Sequence, residues 1–228
     1  MIDKKELLAS GRVRLAAVVM AAGMGAAIPW LASGAPLLSE SERPALRTVV
    51  VEDFESYATT EALAKAWYTV WHGGKMRQSL ETAIKGGGRQ SLKCEYSTTK
   101  SADKFYAPIC RVSTWDLSGC NVLKLWLKPD GSGRQLMVQL NIANKEGKNI
   151  HDLWEHSFRL PKGDASARVL TVPFDELVHD VKYADAPDVS PVFKPESVIE
   201  VALYIGGKED EPGDGVYYFD DFVASRQD

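Results

Sequence analysis

Leu117–Ala143, LSGCNVLKLWLKPDGSGRQLMVQLNIA, is the stretch that decides the fold. Two alternating segments flank a turn built from Pro129, Asp130, Gly131, Ser132 and Gly133. On the first, Leu123, Leu125 and Leu127 share one face, and Lys124, Trp126 and Lys128 share the other. On the second, Leu136, Val138, Leu140 and Ile142 alternate with Gln135, Met137, Gln139 and Asn141. A period of two is the signature of a strand that buries one face and shows the other. The face expected to be shown on the second segment carries amides and a thioether and no net charge. That chemistry suits a neutral, hydroxyl-rich ligand.

Working outward, the chain after Arg47 reads as short strands separated by turn residues. The candidates are Thr48–Phe54, Thr69–His72, Ser79–Ile84, Ser91–Ser97, Ala107–Val112, Val122–Lys128, Leu136–Ala143, Trp154–Arg159, Arg168–Pro173, Val198–Ile205 and Gly215–Ala224. Breaks such as Gly86-Gly87-Gly88, Pro161-Lys162-Gly163 and Gly206-Gly207 lie between them. This spacing predicts an all-β antiparallel sandwich or jelly roll. Helix is confined to Glu61–Trp67, capped by Thr59 or Thr60, and to one turn over Phe174–Val178.

At 228 residues and 45% hydrophobic, the chain is large enough for one well-cored domain. Its net charge of −4, with no basic run beyond the N-terminus, argues against a nucleic-acid partner. The first 35 residues have the order of an export signal: basic residues Lys4, Lys5, Arg12 and Arg14, an apolar run Leu15–Ala32, then Ser33-Gly34-Ala35. The run is also long enough for an uncleaved membrane anchor. The expectation is an exported protein (periplasmic, extracellular or membrane-tethered), meeting a membrane only through that segment if it is retained. Residues 36–47 read as a linker and 48–226 as the folded domain. Cys94 and Cys110, on candidate neighbouring strands, either pair in an oxidising compartment or stand as small buried hydrophobes; as three cysteines with no C-x-x-C, the set has no zinc spacing.

No catalytic constellation emerges. The four histidines are scattered, no serine sits in a hydrolase elbow, and Gly86-Gly87-Gly88 opens no helix. The expectation is a binding protein, not an enzyme. Sugar recognition uses flat aromatic faces with amides and carboxylates around them. The candidate stackers are Trp71, Tyr106, Trp154 and Tyr204, and the candidate hydroxyl partners are Gln139, Asn141 and His156. Tyr204 alternates out of phase with Val201, Leu203 and Ile205, so it projects away from the core. Trp115 and Trp126 are assigned to packing. At the domain ends, VVVEDFE and VYYFDDFVA each place a Phe beside carboxylates. If the two pair, Asp53, Glu55, Asp220 and Asp221 crowd together; a structural calcium ion held by Asp53, Glu55 and Asp220 would relieve the repulsion, with Gly87–Ser91 offering carbonyl oxygens.

Taken together, VEDFE at Val51–Glu55, GGGRQSLKCEY at Gly86–Tyr96, WDLSGCNVLKLWLKPDGSGRQLMVQL at Trp115–Leu140, VLTVPFDEL at Val169–Leu177, VIEVALYIGG at Val198–Gly207 and VYYFDDFVA at Val216–Ala224 resemble the family 11 carbohydrate-binding modules. The outer motifs are shared with wider galactose-binding-like domains, including proteins similar to complex I intermediate-associated protein 30. The resemblance implies a galactose-binding-like jelly roll, non-catalytic binding of β-glucan polysaccharide or oligosaccharide in a concave cleft, and structural calcium near the paired end strands. The wider likeness implies the rival role, a protein-interaction or assembly domain of the same fold.

Overall fold

The computed structural model describes residues 47–70, 74–99, 107–143, 152–181 and 192–227. The chain separates into two units, Met1–Arg43 and Pro44–Asp228. The expected export segment lies outside the described residues. Among the described residues no helix is long and apolar enough to cross a membrane.

Among the described residues twelve strands follow one another: β1 Thr48–Glu52, β2 Trp67–Thr69, β3 Gly74–Glu81, β4 Ser91–Thr98, β5 Ala107–Trp115, β6 Val122–Lys128, β7 Gln135–Ile142, β8 Asp152–Arg159, β9 Arg168–Pro173, β10 Val178–His179, β11 Val198–Ile205 and β12 Gly213–Ser225. They form two antiparallel sheets, as expected. Sheet I has the order β3-β4-β12-β6-β9, with β1 also paired to β12. Sheet II has the order β10-β8-β7-β11-β5-β2. One helix, α1 (Thr60–Ala66), is capped by Thr59, whose hydroxyl accepts from Ala62 N at 3.2 Å. The turn after Pro173 is a single 3-10 turn, Phe174–Glu176.

The turn Pro129–Gly133 carries the chain from sheet I to sheet II. Asp130 Oδ1 accepts from Ser132 N at 2.8 Å, which closes the turn locally. Gly133 has φ +75°, and a Cβ there would stand 2.8 Å from Lys162 Cα, so only glycine fits. Leu123, Leu125 and Leu127 therefore enter the core from one sheet, and Leu136, Val138, Leu140 and Ile142 from the other. All seven are fully buried. Each contributes on the order of 1.5–3 kcal/mol of burial.

The first and last strands pair antiparallel, Thr48 opposite Ser225 and Val50 opposite Val223. Bulges interrupt β1 at Val50/Glu52 and β12 at Asp220/Val223. Beside them Phe54 and Asp221 take left-handed backbone, φ +58° and +49°. The Phe54 ring is paid for this strain by burial against Trp67 and Phe222, at 5.6 and 5.7 Å.

A disulfide between Cys94 and Cys110 does not form; all three thiols are free and buried. The two strands are not neighbours. Cys94 pairs across β4–β12 in sheet I and faces the core, whereas Cys110 lies on β5 in sheet II. Burial pushes the Cys110 thiol up to about 12 and raises those of Cys94 and Cys120. A neutral buried thiol is a poor nucleophile. Native protein at pH 8 should therefore leave a thiol reagent unreacted, and three equivalents should titrate on unfolding. Rapid labelling of Cys94 or Cys110 before unfolding would contradict this placement.

Candidate functional site

The face of sheet II turned away from the core is set by strand register. Gln139 is opposite Ala202 and Glu155; Asn141 is opposite Glu200 and Leu153; Met137 is opposite Tyr204 and Ser157. From the β5 side Cys110 is opposite Ala202 and Tyr68, and Val112 is opposite Glu200. The alternation read in β7 and β11 thus puts Gln139, Asn141 and Tyr204 on one face, as expected, and adds Tyr68 and Glu200 to it.

That face is not open at its centre. Gln139 is 4% exposed, Asn141 1% and Glu200 6%. The expectation of an exposed, uncharged amide row is corrected on both counts. The floor is made by the small residues Ala202 and Cys110, and tyrosines lie over it. Tyr68 Oη donates to Glu200 Oε2 at 2.6 Å, and Tyr204 Oη donates to Gln139 Oε1 at 3.4 Å. Asn141 Nδ2 donates to the other Glu200 oxygen. Burial, then the bond to Glu200, raises the Tyr68 hydroxyl; burial, with the charges of Cys110 and Glu200 behind it, raises that of Tyr204. Both stay protonated and act as donors. Asn141 Oδ1 is buried and has no hydrogen-bond partner among the described residues. An orphan acceptor of this kind costs about 1–3 kcal/mol until something donates to it. At 38% exposure Tyr68 is the most open aromatic of the group.

Two predicted site residues sit elsewhere. Trp154 is opposite Leu140 and His156 is opposite Val138, so both point to the core side of sheet II. Trp154 stacks on His179 at 4.5 Å and 3° and meets Phe193 edge-on. His156 packs on Phe158 at 4.7 Å, with Nδ1 3.9 Å from a Glu176 oxygen. A shift of one residue in register exchanges the two faces of a strand, and β8 alone does not display which register it takes. Trp71 and Tyr106 lie outside the described residues. Trp115 is a packing residue as assigned, its Nε1 donating to Val51 O at 3.2 Å.

The acidic ends do come together, but not as a cation cage. Asp220 is opposite Trp126, and its Oδ2 accepts from Gly86 N and Gly87 N at 2.8 and 3.1 Å. Its Oδ1 accepts from Asp221 N. Glu55 is held by Arg89, through Nε at 2.8 Å and the backbone N at 2.6 Å, which keeps its carboxyl below the usual range. Asp53 Oδ1 accepts from Glu55 N at 3.1 Å. The glycine loop thus aims N–H groups, not carbonyl oxygens, at the carboxylates. Asp221, not Asp220, is the residue that feels Asp53 and Glu55. Among the described residues no three metal-ligating side chains form a group fit for an ion. Of these three expected calcium ligands, Glu55 and Asp220 already spend both oxygens on hydrogen-bond donors or a guanidinium, and Asp53 spends one of its two.

The sequence model for complex I intermediate-associated protein 30 (CIA30) matches residues 73–214, which include β3 to β11 and, of the polar row, Gln139, Asn141, Glu200 and Tyr204 but not Tyr68. The chain belongs to the CIA30 family. No curated protein matches it. Among solved structures, this CIA30 chain is similar to the family 11 carbohydrate-binding module from Clostridium thermocellum in complex with a β-1,3-1,4-mixed-linked tetrasaccharide. There the TM-score is 0.61 at 15% identity, covering 79% of this chain and 96% of that one. The same family 11 module of the cellulosomal cellulase Lic26A-Cel5E gives 0.60 at 14%, covering 79% and 95%. A family 30 module of the Clostridium thermocellum cellulase Cel9D-Cel44B gives 0.52 at 13%, covering 80% and 99%. The motif resemblance to family 11 holds for the fold, a jelly-roll sandwich; in sequence the chain is a CIA30 protein.

Proposed function

We propose that the outer face of sheet II binds carbohydrate without cleaving it. The observation that carries this reading is the row Tyr68, Glu200, Asn141, Gln139 and Tyr204, a band of hydroxyls, amides and one carboxylate, buried at Glu200, Asn141 and Gln139, that includes an acceptor unpartnered among the described residues. Hydroxyl groups of a sugar are donors of the kind Asn141 Oδ1 lacks, and the Tyr68 ring offers a flat partner for a pyranose face. The β-glucan chain is the first ligand to try, and export would place the domain where such polymers occur.

The CIA30 family supports a second reading, an assembly domain that docks another protein. Exposed valines, Val112 on β5 and Val178 on β10, lie on the same outer face near its two edges. The band between them is polar, whereas a docking face is apolar at its centre. This favours the sugar reading.

Affinity electrophoresis of the full chain through mixed-linkage β-glucan and other neutral polysaccharides tests it. Retention is expected, and Tyr204→Ala should weaken it by about tenfold, or about 1.4 kcal/mol. Wild-type mobility unchanged in every polysaccharide, or a mutant retained like wild type, would count against this face.

A further inference from the structure

Glu200 is a carboxylate buried on a ligand face and met only by neutral donors. Its two oxygens take the Tyr68 hydroxyl and the Asn141 amide, and among the described residues it has no ion pair. Several other buried or half-buried carboxylates in the sandwich are held differently. Glu52 has Arg111, Glu55 has Arg89, Asp210 has Arg159, and Asp220 has three backbone N–H groups. A buried charge without a cation is costly, and burying it beside an unpartnered acceptor adds to the cost. Asn141 gives its amide nitrogen to Glu200, and its Oδ1 is left buried without a hydrogen-bond partner among the described residues. The two defects are adjacent, and one group repairs both: a cation with several N–H donors.

We infer that the ligand carries an ammonium group, and that the site takes an amino sugar whose protonated amine bridges Glu200 and Asn141 Oδ1. An ammonium has three donors. One goes to the Glu200 oxygen that Tyr68 holds, one to Asn141 Oδ1, and a third remains for Gln139 or a ligand hydroxyl. The half-exposed Tyr68 is the side chain that gives way, releasing its hydrogen bond and laying its ring against the incoming pyranose or ammonium. Uronic acids are excluded by the same carboxylate. The sugar ring, as opposed to a bare amine, is required by the remaining hydroxyl-binding groups, Gln139 and Tyr204.

The inference rests on the carbohydrate reading, and its test separates the two. Titration calorimetry of the full chain near pH 6, where the amine is protonated, compares a β-1,4-glucosamine tetrasaccharide, its fully N-acetylated form, a glucose tetrasaccharide and spermidine. The free-amine sugar should bind about tenfold or more tighter than the acetylated and glucose forms. In Glu200→Gln, which keeps the shape of the side chain, that advantage should fall to near parity. Equal affinity for the free-amine and the neutral sugars would overturn the ammonium inference and leave the carbohydrate reading standing. No heat with any sugar would overturn both. Spermidine binding as tightly as the amino sugar would show a cation site with no sugar specificity, and would also overturn it. The comparison among wild-type ligands needs no variant, so a folding defect in Glu200→Gln does not shelter the inference.

Discussion

Glu52→Leu should lower the thermal midpoint by roughly 10 °C, the largest stability effect expected of any charged residue in the domain. Glu52 is a clasp between the sheets. It ends β1 in sheet I, and it is 4% exposed. Oε1 accepts from Asp53 N and Phe54 N at 3.1 and 2.8 Å, which fixes the left-handed turn at Phe54. Oε2 accepts from Tyr57 Oη at 2.7 Å, from Trp67 Nε1 at 3.1 Å and from the Arg111 guanidinium. Trp67 and Arg111 belong to β2 and β5 of sheet II. Removing the carboxylate leaves a half-buried guanidinium with only its 3.4 Å bond to Val51 O, and a buried indole N–H without its acceptor, at a cost of about 3–5 kcal/mol. For a domain of this size each kcal/mol moves the midpoint by about 2–4 °C. The double change Glu52→Leu, Arg111→Met should recover part of the loss, because an apolar pair of similar volume needs no compensation. Calorimetry of the two variants checks both statements. A midpoint within about 2 °C of wild type for the single change would show that the clasp contributes little.

Glu200→Ala should abolish carbohydrate retention, a loss of at least about thirtyfold, or about 2 kcal/mol. Three effects coincide. The ligand loses a charged acceptor, which makes the stronger kind of hydrogen bond. The Tyr68 hydroxyl and the Asn141 amide lose their common partner. Asn141, freed from Glu200, no longer has its nitrogen and oxygen held in one orientation. Folding should suffer less, by about 1–3 kcal/mol, since neutral donors are what remain unpaired. Affinity electrophoresis and thermal melts on the same sample separate the two losses. Retention like wild type at full stability would remove Glu200 from the site.

Much of the fold could be read from alternation. The β6–turn–β7 stretch, the pairing of the first and last strands, the Thr59 cap and the inward Phe54 and Phe219 all follow from local pattern. The strand ends did not: β3 begins at Gly74, ahead of the expected Ser79, because Lys75 and Arg77 are tolerated on an outward face. The candidate site was legible only in part. Tyr204, Gln139 and Asn141 share a face because β7 and β11 are neighbours in matched register. Trp154 and His156 looked equivalent to them but fall on the other face, since β8 pairs Leu140 with Trp154. Glu200 was in phase with Tyr204 in VIEVALYI, so its signal was present. Tyr68 was masked by its place just past a helix. Burial of the amide row could not be read at all, because exposure depends on tertiary neighbours such as Tyr68 and Tyr204, which bond Glu200 and Gln139 from other strands. The hydrogen bonding of the acidic ends was illegible for a similar reason: acidic residues in sequence do not reveal which backbone N–H groups will face them.

The most direct check on the ligand face is a proton–nitrogen NMR titration of the full chain with a mixed-linkage glucan tetrasaccharide, following side-chain amide signals. The side-chain amides of Gln139 and Asn141 should shift and saturate together, while that of Gln90, which donates to Phe54 O and Tyr57 O beside sheet I, stays still. Shifts that leave Gln139 and Asn141 untouched and gather instead on β6 and β9 would place the sugar on the wrong sheet and contradict the account.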